Sequence, residues 1–195
     1  MITIEDNVFG KEFHSKTLNY CKERASFKSY EVGDKIFHCD IEHINKVQKP
    51  IVKHLESKGN KIKPIFSYYR MATEELDTDW RIHCDLKIFG EEPTHAAVYY
   101  ISSNNKNLNG TAIWKHKIYG RYCPKITNEE FDRLISEDAN ILSNWNIDFI
   151  INGVDDRLIT YPSNVFHSKY PNKAWGKTNK DCRIIFCMFY IQDNE

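Results

Sequence analysis

From Pro64 onward the sequence breaks into short segments rich in aromatic and β-branched residues, divided by turn formers. "PIFSYYRM", "RIHCDLKIF", "HAAVYYIS" and "TAIWKHKIY" come first; "DFIIN", "RLITYP" and "CRIIFCMFYIQ" follow after a helix-like interval. Such residues fit a pleated, half-buried surface, and a lone strand of this length has no stability of its own. About eight such strands behind a helical N-terminal part restrict the chain to a β-sandwich or barrel with helices packed on one sheet. At 195 residues, with no visible linker or repeat, one domain is expected over 1–195. It should be helical over about residues 1–62 and β over about 64–192.

Two stretches carry helical spacing. In "DIEHINKVQKPIVKHLESKGN" the apolar residues Ile41, Ile44, Val47, Ile51, Val52 and Leu55 recur on one helical face. Asp40 stands at the N-cap position and Gly59 at the C-cap, and Pro50 predicts a kink or a split. In "ITNEEFDRLISEDANILSNW" Thr127 and Glu130 form a capping box ahead of Phe131, Leu134, Ile135, Ile141 and Leu142. Residues 1 to about 35 read as irregular or partly helical.

Composition removes several function classes. Lys plus Arg equals Asp plus Glu at 27 each, so no net field draws the chain to nucleic acid or to an anionic membrane. "MITIEDNVFGKEF" has no apolar signal-peptide core, and "IIFCMFYI" is far too short to span a bilayer. The six cysteines show no CxxC and no secreted disulfide spacing, which fits packed, reduced thiols and a cytoplasmic protein.

The tripeptide His-Cys-Asp occurs twice, as His38-Cys39-Asp40 and His83-Cys84-Asp85. The first copy abuts the helix, where Asp40 is better used on free first-turn amides than on a metal. The second lies on an extended segment, where residues i and i+2 share a face, so His83 and Asp85 project together. A facial set of two imidazoles and one carboxylate binds Fe(II) and leaves positions open, so a third ligand is needed. His95 reads as a turn residue, and His116, between Lys115 and Lys117, as a solvent-facing strand position. His167 differs, because "RLITYPSNVFHSKYP" places it after a turn at the start of a short strand.

Arg183 stands alone in the most apolar strand, sharing a face with Ile185, Cys187 and Phe189 and opposing Ile184, Phe186, Met188 and Tyr190. A guanidinium there needs an anion, either a buried acid or a ligand carboxylate gripped by two parallel hydrogen bonds.

Taken together, His83, Asp85, His167 and Arg183 resemble the H-x-D…H…R signature of the Fe(II)/2-oxoglutarate-dependent dioxygenases. "HAAVYYIS…NLNGTAIWKH" and the segment leading to His167 are similar to the prolyl-hydroxylase branch, and the likeness runs over roughly residues 64–192. It implies a double-stranded β-helix, a jelly-roll or cupin-like barrel that is mainly β with flanking helices. It further implies that His83, Asp85 and His167 hold Fe(II) and that Arg183 meets the distal carboxylate of 2-oxoglutarate. Tyr100 and Tyr69 would be further cosubstrate contacts, with Tyr99 and Tyr68 facing away. With O2 the expected reaction is hydroxylation of a C–H bond, with release of succinate and CO2. The substrate would be a small molecule, peptide or protein, with no nucleic acid or membrane partner.

The spacing from His167 to Arg183 is longer than usual in that family, which makes "PNKAWGKTN" a mouth loop with Trp175 as a candidate substrate contact. No second Arg follows Arg183 as it does in nucleic-acid demethylases. Substrate choice should lie in residues 70–82, 103–109, 119–128 and 168–180. Two rival readings use the same residues. A non-enzymatic barrel would bind metal without turning over 2-oxoglutarate, and a zinc hydrolase would have no use for Arg183.

Overall fold

The computed structural model describes residues 1–32, 35–77, 81–103, 109–139 and 141–194. The N-terminal part contains β1 (Thr3–Glu5), α1 (Gly10–Glu23), β2 (Lys28–Val32), β3 (Lys35–Asp40) and α2 (Asn45–Glu56). Then come β4 (Asn60–Ala72), β5 (His95–Ser102), β6 (Gly110–His116), α3 (Asn128–Arg133), β7 (Trp145–Asn152), β8 (Leu158–Pro162), β9 (His167–Tyr170) and β10 (Arg183–Asn194). A seven-stranded antiparallel sheet runs β1-β8-β5-β10-β4-β3-β2, and a three-stranded sheet runs β7-β6-β9. An antiparallel bridge from His83 to His167 adds one more segment to the small sheet. The two sheets face each other as a double-stranded β-helix, with helices packed outside the large sheet.

Strand β10 shows why the layers form. Its even residues Ile184, Phe186, Met188 and Tyr190 join Tyr69, Met71, Tyr99 and Ile101 on the outer face of the large sheet. Tyr20 and Cys21 of α1 and Val47, Ile51 and Leu55 of α2 cover that face. Burying each of those α2 side chains contributes about 2 kcal/mol. The odd residues Ile185, Cys187 and Phe189 turn inward with Val98, Tyr100, Ile113, Ile151 and Tyr161. A strand covered on both faces reads as a continuous apolar run, as this one does. Behind the small sheet, Ala112, Trp114 and Phe166 pack against Ile82, Cys84, Cys123, Leu134 and Trp145.

Several elements differ from their sequence signals. Residues 1–32 are more ordered than expected, with β1, α1 and β2 in place. The first His-Cys-Asp ends strand β3 and does not cap a helix. The Asp40 carboxylate accepts from Tyr20 Oη at 2.7 Å, Glu42 N at 2.7 Å and Ser26 N at 3.3 Å. It closes the turn that delays α2 to Asn45, and α2 passes through Pro50 without splitting. The Thr127–Glu130 capping box is present with both of its bonds, but α3 ends at Arg133 and continues as a π-turn over Leu134–Asp138. Ile141 and Leu142 are therefore exposed and do not extend an apolar stripe. His116 is buried: its Nδ1 accepts from Ile118 N and Tyr119 N, and Nε2 lies 3.4 Å from Asp138 Oδ2. His95 opens β5. All six cysteines are free and buried. No helix among the described residues is long and apolar enough to cross a membrane.

Candidate metal centre

His83 and His167 are brought together by the backbone. His83 N donates to His167 O at 3.0 Å, and His167 N donates to His83 O at 2.8 Å. This reciprocal pair puts the two rings 4.4 Å apart, centroid to centroid. Asp85 N donates to Ser163 O at 2.7 Å, which anchors the third residue to the turn after β8. One ligand atom from each of His83, Asp85 and His167 lies within 4.8 Å of the others, and this is the metal-competent group found among the described residues.

The imidazoles are set in the tautomer a metal needs. His83 Nδ1 bonds Arg81 O at 2.8 Å, and His167 Nδ1 bonds Val165 O at 2.9 Å. A carbonyl only accepts, so both Nδ1 atoms carry the proton and both Nε2 lone pairs face inward. His83 Nε2 is 3.9 Å from Asp85 Oδ1, and His167 Nε2 is 3.4 Å from Asp85 Oδ2. Asp85 and His167 are buried, and His83 is partly exposed. Two imidazole nitrogens and one carboxylate on one side of a point fit Fe(II) with open positions, and the carbonyl partners are the orienting contacts such ligands need.

Arg183 lies on the inner face of β10, 4% exposed. Its Nη2 reaches Gly110 O at 3.4 Å, and its Nε has no hydrogen-bond partner among the described residues. Burial presses its pKa downward, opposed by Tyr100. Tyr100 projects to the same interior, where its Oη is 2.7 Å from Thr111 Oγ1. Burial raises the Tyr100 phenol, and Arg183 pulls it the other way.

Tyr69 is not part of this interior. It lies on the outer face, with its ring 5.4 Å from Tyr20 and 5.0 Å from Phe186, and its hydroxyl donates to His43 O at 3.5 Å. Tyr68 takes the inward position instead. The pairing places Tyr68 beside Cys187, and Arg70 and Tyr100 on either side of Ile185. Tyr99 faces outward as expected. The phase along β4 is thus one residue from that expected for the Tyr68–Tyr69 pair.

The sequence reading missed several interior groups. Arg70 pairs with Asp77 through two bonds of 2.5 Å, and Lys169 Nζ donates to Asp77 O at 2.5 Å. The signals were there: Arg70 interrupts an apolar strand as Arg183 does, and Lys169 shares the face of His167 by the period of two. Tyr161 Oη lies 3.2 Å from His167 Nε2. Burial raises the Cys187 thiol beside Tyr68 to about 11, which leaves it protonated at neutral pH.

Of the mouth loops, residues 78–80 and 104–108, which include most of "NNKNLNG", lie outside the described residues. The 171–182 loop is tied to the body. Asp181 Oδ1 accepts from Lys177 N and Thr178 N, and Asn179 Nδ2 donates to Cys21 O and Lys22 O at the end of α1. Trp175 in this loop is half-buried.

No protein-family model matches the sequence, and no curated protein does. Solved structures do match over nearly the whole chain. A viral collagen prolyl hydroxylase from Paramecium bursaria Chlorella virus-1 aligns at TM-score 0.52 and 12% identity, over 97% of this chain and 89% of that one. HygX from Streptomyces hygroscopicus, solved with iron bound, aligns at 0.57 and 10%, over 97% and 81%. The non-heme alpha-ketoglutarate-dependent carbocyclase SnoK of nogalamycin biosynthesis aligns at 0.61 and 11%, over 98% and 79%. This chain therefore has the fold of the Fe(II)/2-oxoglutarate oxygenases, with a candidate His-Asp-His triad in its interior.

Proposed function

We propose that the protein is an Fe(II)- and 2-oxoglutarate-dependent oxygenase that hydroxylates a C–H bond of a small-molecule, peptide or protein substrate. The observation that carries this reading is the pairing of the triad with Arg183. A three-ligand centre and a buried, under-partnered guanidinium occupy one interior, and a dicarboxylate cosubstrate explains both.

His83, Asp85 and His167 would hold the iron through Nε2, a carboxylate oxygen and Nε2. When bound, iron and 2-oxoglutarate supply the oxidation, consuming O2, releasing succinate and CO2 and converting a substrate C–H to C–OH. The chain's own residues bind, orient and keep the site dry. Arg183 offers its Nε–H and guanidinium edge to the distal carboxylate, a charge-assisted contact worth more than a neutral one. Tyr100 and Thr111, already bonded to each other, lie within the same polar corner. Arg81 O and Val165 O hold the proton of each neutral ring on Nδ1, which leaves each Nε2 lone pair for the metal. Ile113, Val98 and Ile185 line the interior and exclude water.

The test is aerobic incubation of the purified protein with Fe(II) and 2-oxoglutarate, with succinate measured over time. Succinate that requires Fe(II), O2 and an intact His83 supports the oxygenase. Metal binding with no succinate supports the non-enzymatic barrel.

A further inference from the structure

Tyr161 is a side chain outside the triad whose hydroxyl is hydrogen-bonded to a triad Nε2 atom. It stands on β8, buried at 3% exposure, with its ring 4.7 Å from that of His167. Its Oη is 3.2 Å from His167 Nε2. For a neutral imidazole the direction of that bond follows from proton count. His167 Nδ1 gives its proton to Val165 O, so Nε2 accepts and Tyr161 donates.

A metal on His167 takes the lone pair that Tyr161 now uses. The phenolic hydrogen must then find another acceptor, because an orphaned hydroxyl in a dry interior is costly. Its position suggests which one. Two adjacent ligands of an octahedral ion, each at about 2.1 Å, stand about 3 Å apart. Tyr161 Oη, 3.2 Å from Nε2, is close enough to that nitrogen to reach an oxygen ligand standing beside it.

We infer that Tyr161 is a fourth polar group of the centre and donates its hydrogen bond to the oxygen ligand that stands beside His167. This rests on the oxygenase reading, under which that ligand is an oxygen of the 2-oxo acid.

The experiment uses Co(II) as a spectroscopic metal and measures two constants separately, for Co(II) and for 2-oxoglutarate on the Co(II)-loaded protein. Wild type, Tyr161→Phe, Tyr161→Leu and, as an outer-face control, Tyr69→Phe are compared. In both Tyr161 variants, Co(II) should bind as tightly as in wild type or more tightly, since a competing donor is gone. Affinity for 2-oxoglutarate should fall about tenfold, as expected for a lost hydrogen bond to a charged acceptor. Tyr69→Phe should change neither constant. Unchanged 2-oxoglutarate affinity overturns the inference. A tenfold loss of Co(II) affinity with 2-oxoglutarate unaffected also overturns it, because the phenol would then serve Asp85 or bind the metal itself. Wild-type protein that takes Co(II) but no 2-oxoglutarate refutes the oxygenase reading itself. The Leu variant keeps the test available if the Phe variant does not fold.

Discussion

Replacing Arg183 with Met should move stability and ligand binding in opposite directions. The guanidinium is buried, with one 3.4 Å bond from Nη2 and no hydrogen-bond partner for Nε among the described residues. Burying a poorly compensated charge costs several kcal/mol, and replacing such a group with an apolar one of similar volume gains about 1–3 kcal/mol. For a chain of this size that raises Tm by roughly 3–10 °C. The same change removes the charge-assisted grip on the cosubstrate, about 3 kcal/mol or a hundredfold in Kd. In metal-loaded wild-type protein, 2-oxoglutarate at a hundred times its Kd adds about 2.7 kcal/mol of stability. At the same concentration the variant, binding a hundredfold more weakly, gains only about 0.4 kcal/mol. Thermal denaturation in four samples, each protein with and without 2-oxoglutarate, reads both effects. The account expects the variant to melt higher without ligand and to lose most of the ligand-induced shift. A variant that melts lower without ligand and still shifts fully would show that Arg183 is a structural pair, and the argument would fail.

Gly110 has φ +147°, and a Cβ built there would meet Ile151 O at 1.9 Å and Gly153 N at 2.5 Å. Gly110→Ala should therefore cost more than about 3 kcal/mol, seen as a lowered urea midpoint. Glu5 joins β1 to the end of α2 through Lys58 and through His54 Nε2 at 3.1 Å. Burial pushes its carboxyl up, but the bonds and charges of Lys58 and His54 outweigh this and hold it below the ordinary 4.5. A depressed carboxyl stabilises above its unfolded pKa, and that contribution is lost as pH falls through the folded value. The pair is partly exposed, so Glu5→Gln should lower stability by only about 0.5 kcal/mol at pH 7. The difference from wild type should shrink in urea melts as pH falls below 4.5 and through the lowered folded value.

The legible parts of this chain are those where one periodicity dominates. β5 and β10 were readable as apolar runs, and the pairing of His83 with Asp85 followed from the two-residue repeat of an extended segment. Arg183 was legible because a charge in such a run demands an explanation. The Tyr68–Tyr69 phase was not. The outer face of β4 packs on helices and its inner face on the barrel interior, so neither tyrosine contrasts with its neighbours. His116 misled because Lys115 and Lys117 alternate with it to the other side, while His116 itself turns toward Trp145 and Phe166. Helix α1 stayed hidden because two of its buried residues, His14 and Thr17, are polar. Asp40 resembled a helix cap because it does satisfy backbone amides, those of Ser26 and Glu42 in turns rather than those of a helix. Tyr161 required the third dimension: nothing in "RLITYPSNVFH" tells which β8 side chain meets His167.

The central claim is that His83, Asp85 and His167 hold iron beside a cosubstrate gripped by Arg183. Anaerobic titration with Fe(II) and then 2-oxoglutarate tests it most directly, by the visible charge-transfer band of the chelate. The account predicts a band in wild type that His83→Ala abolishes and Arg183→Ala weakens. Metal binding with no band on adding 2-oxoglutarate would contradict it.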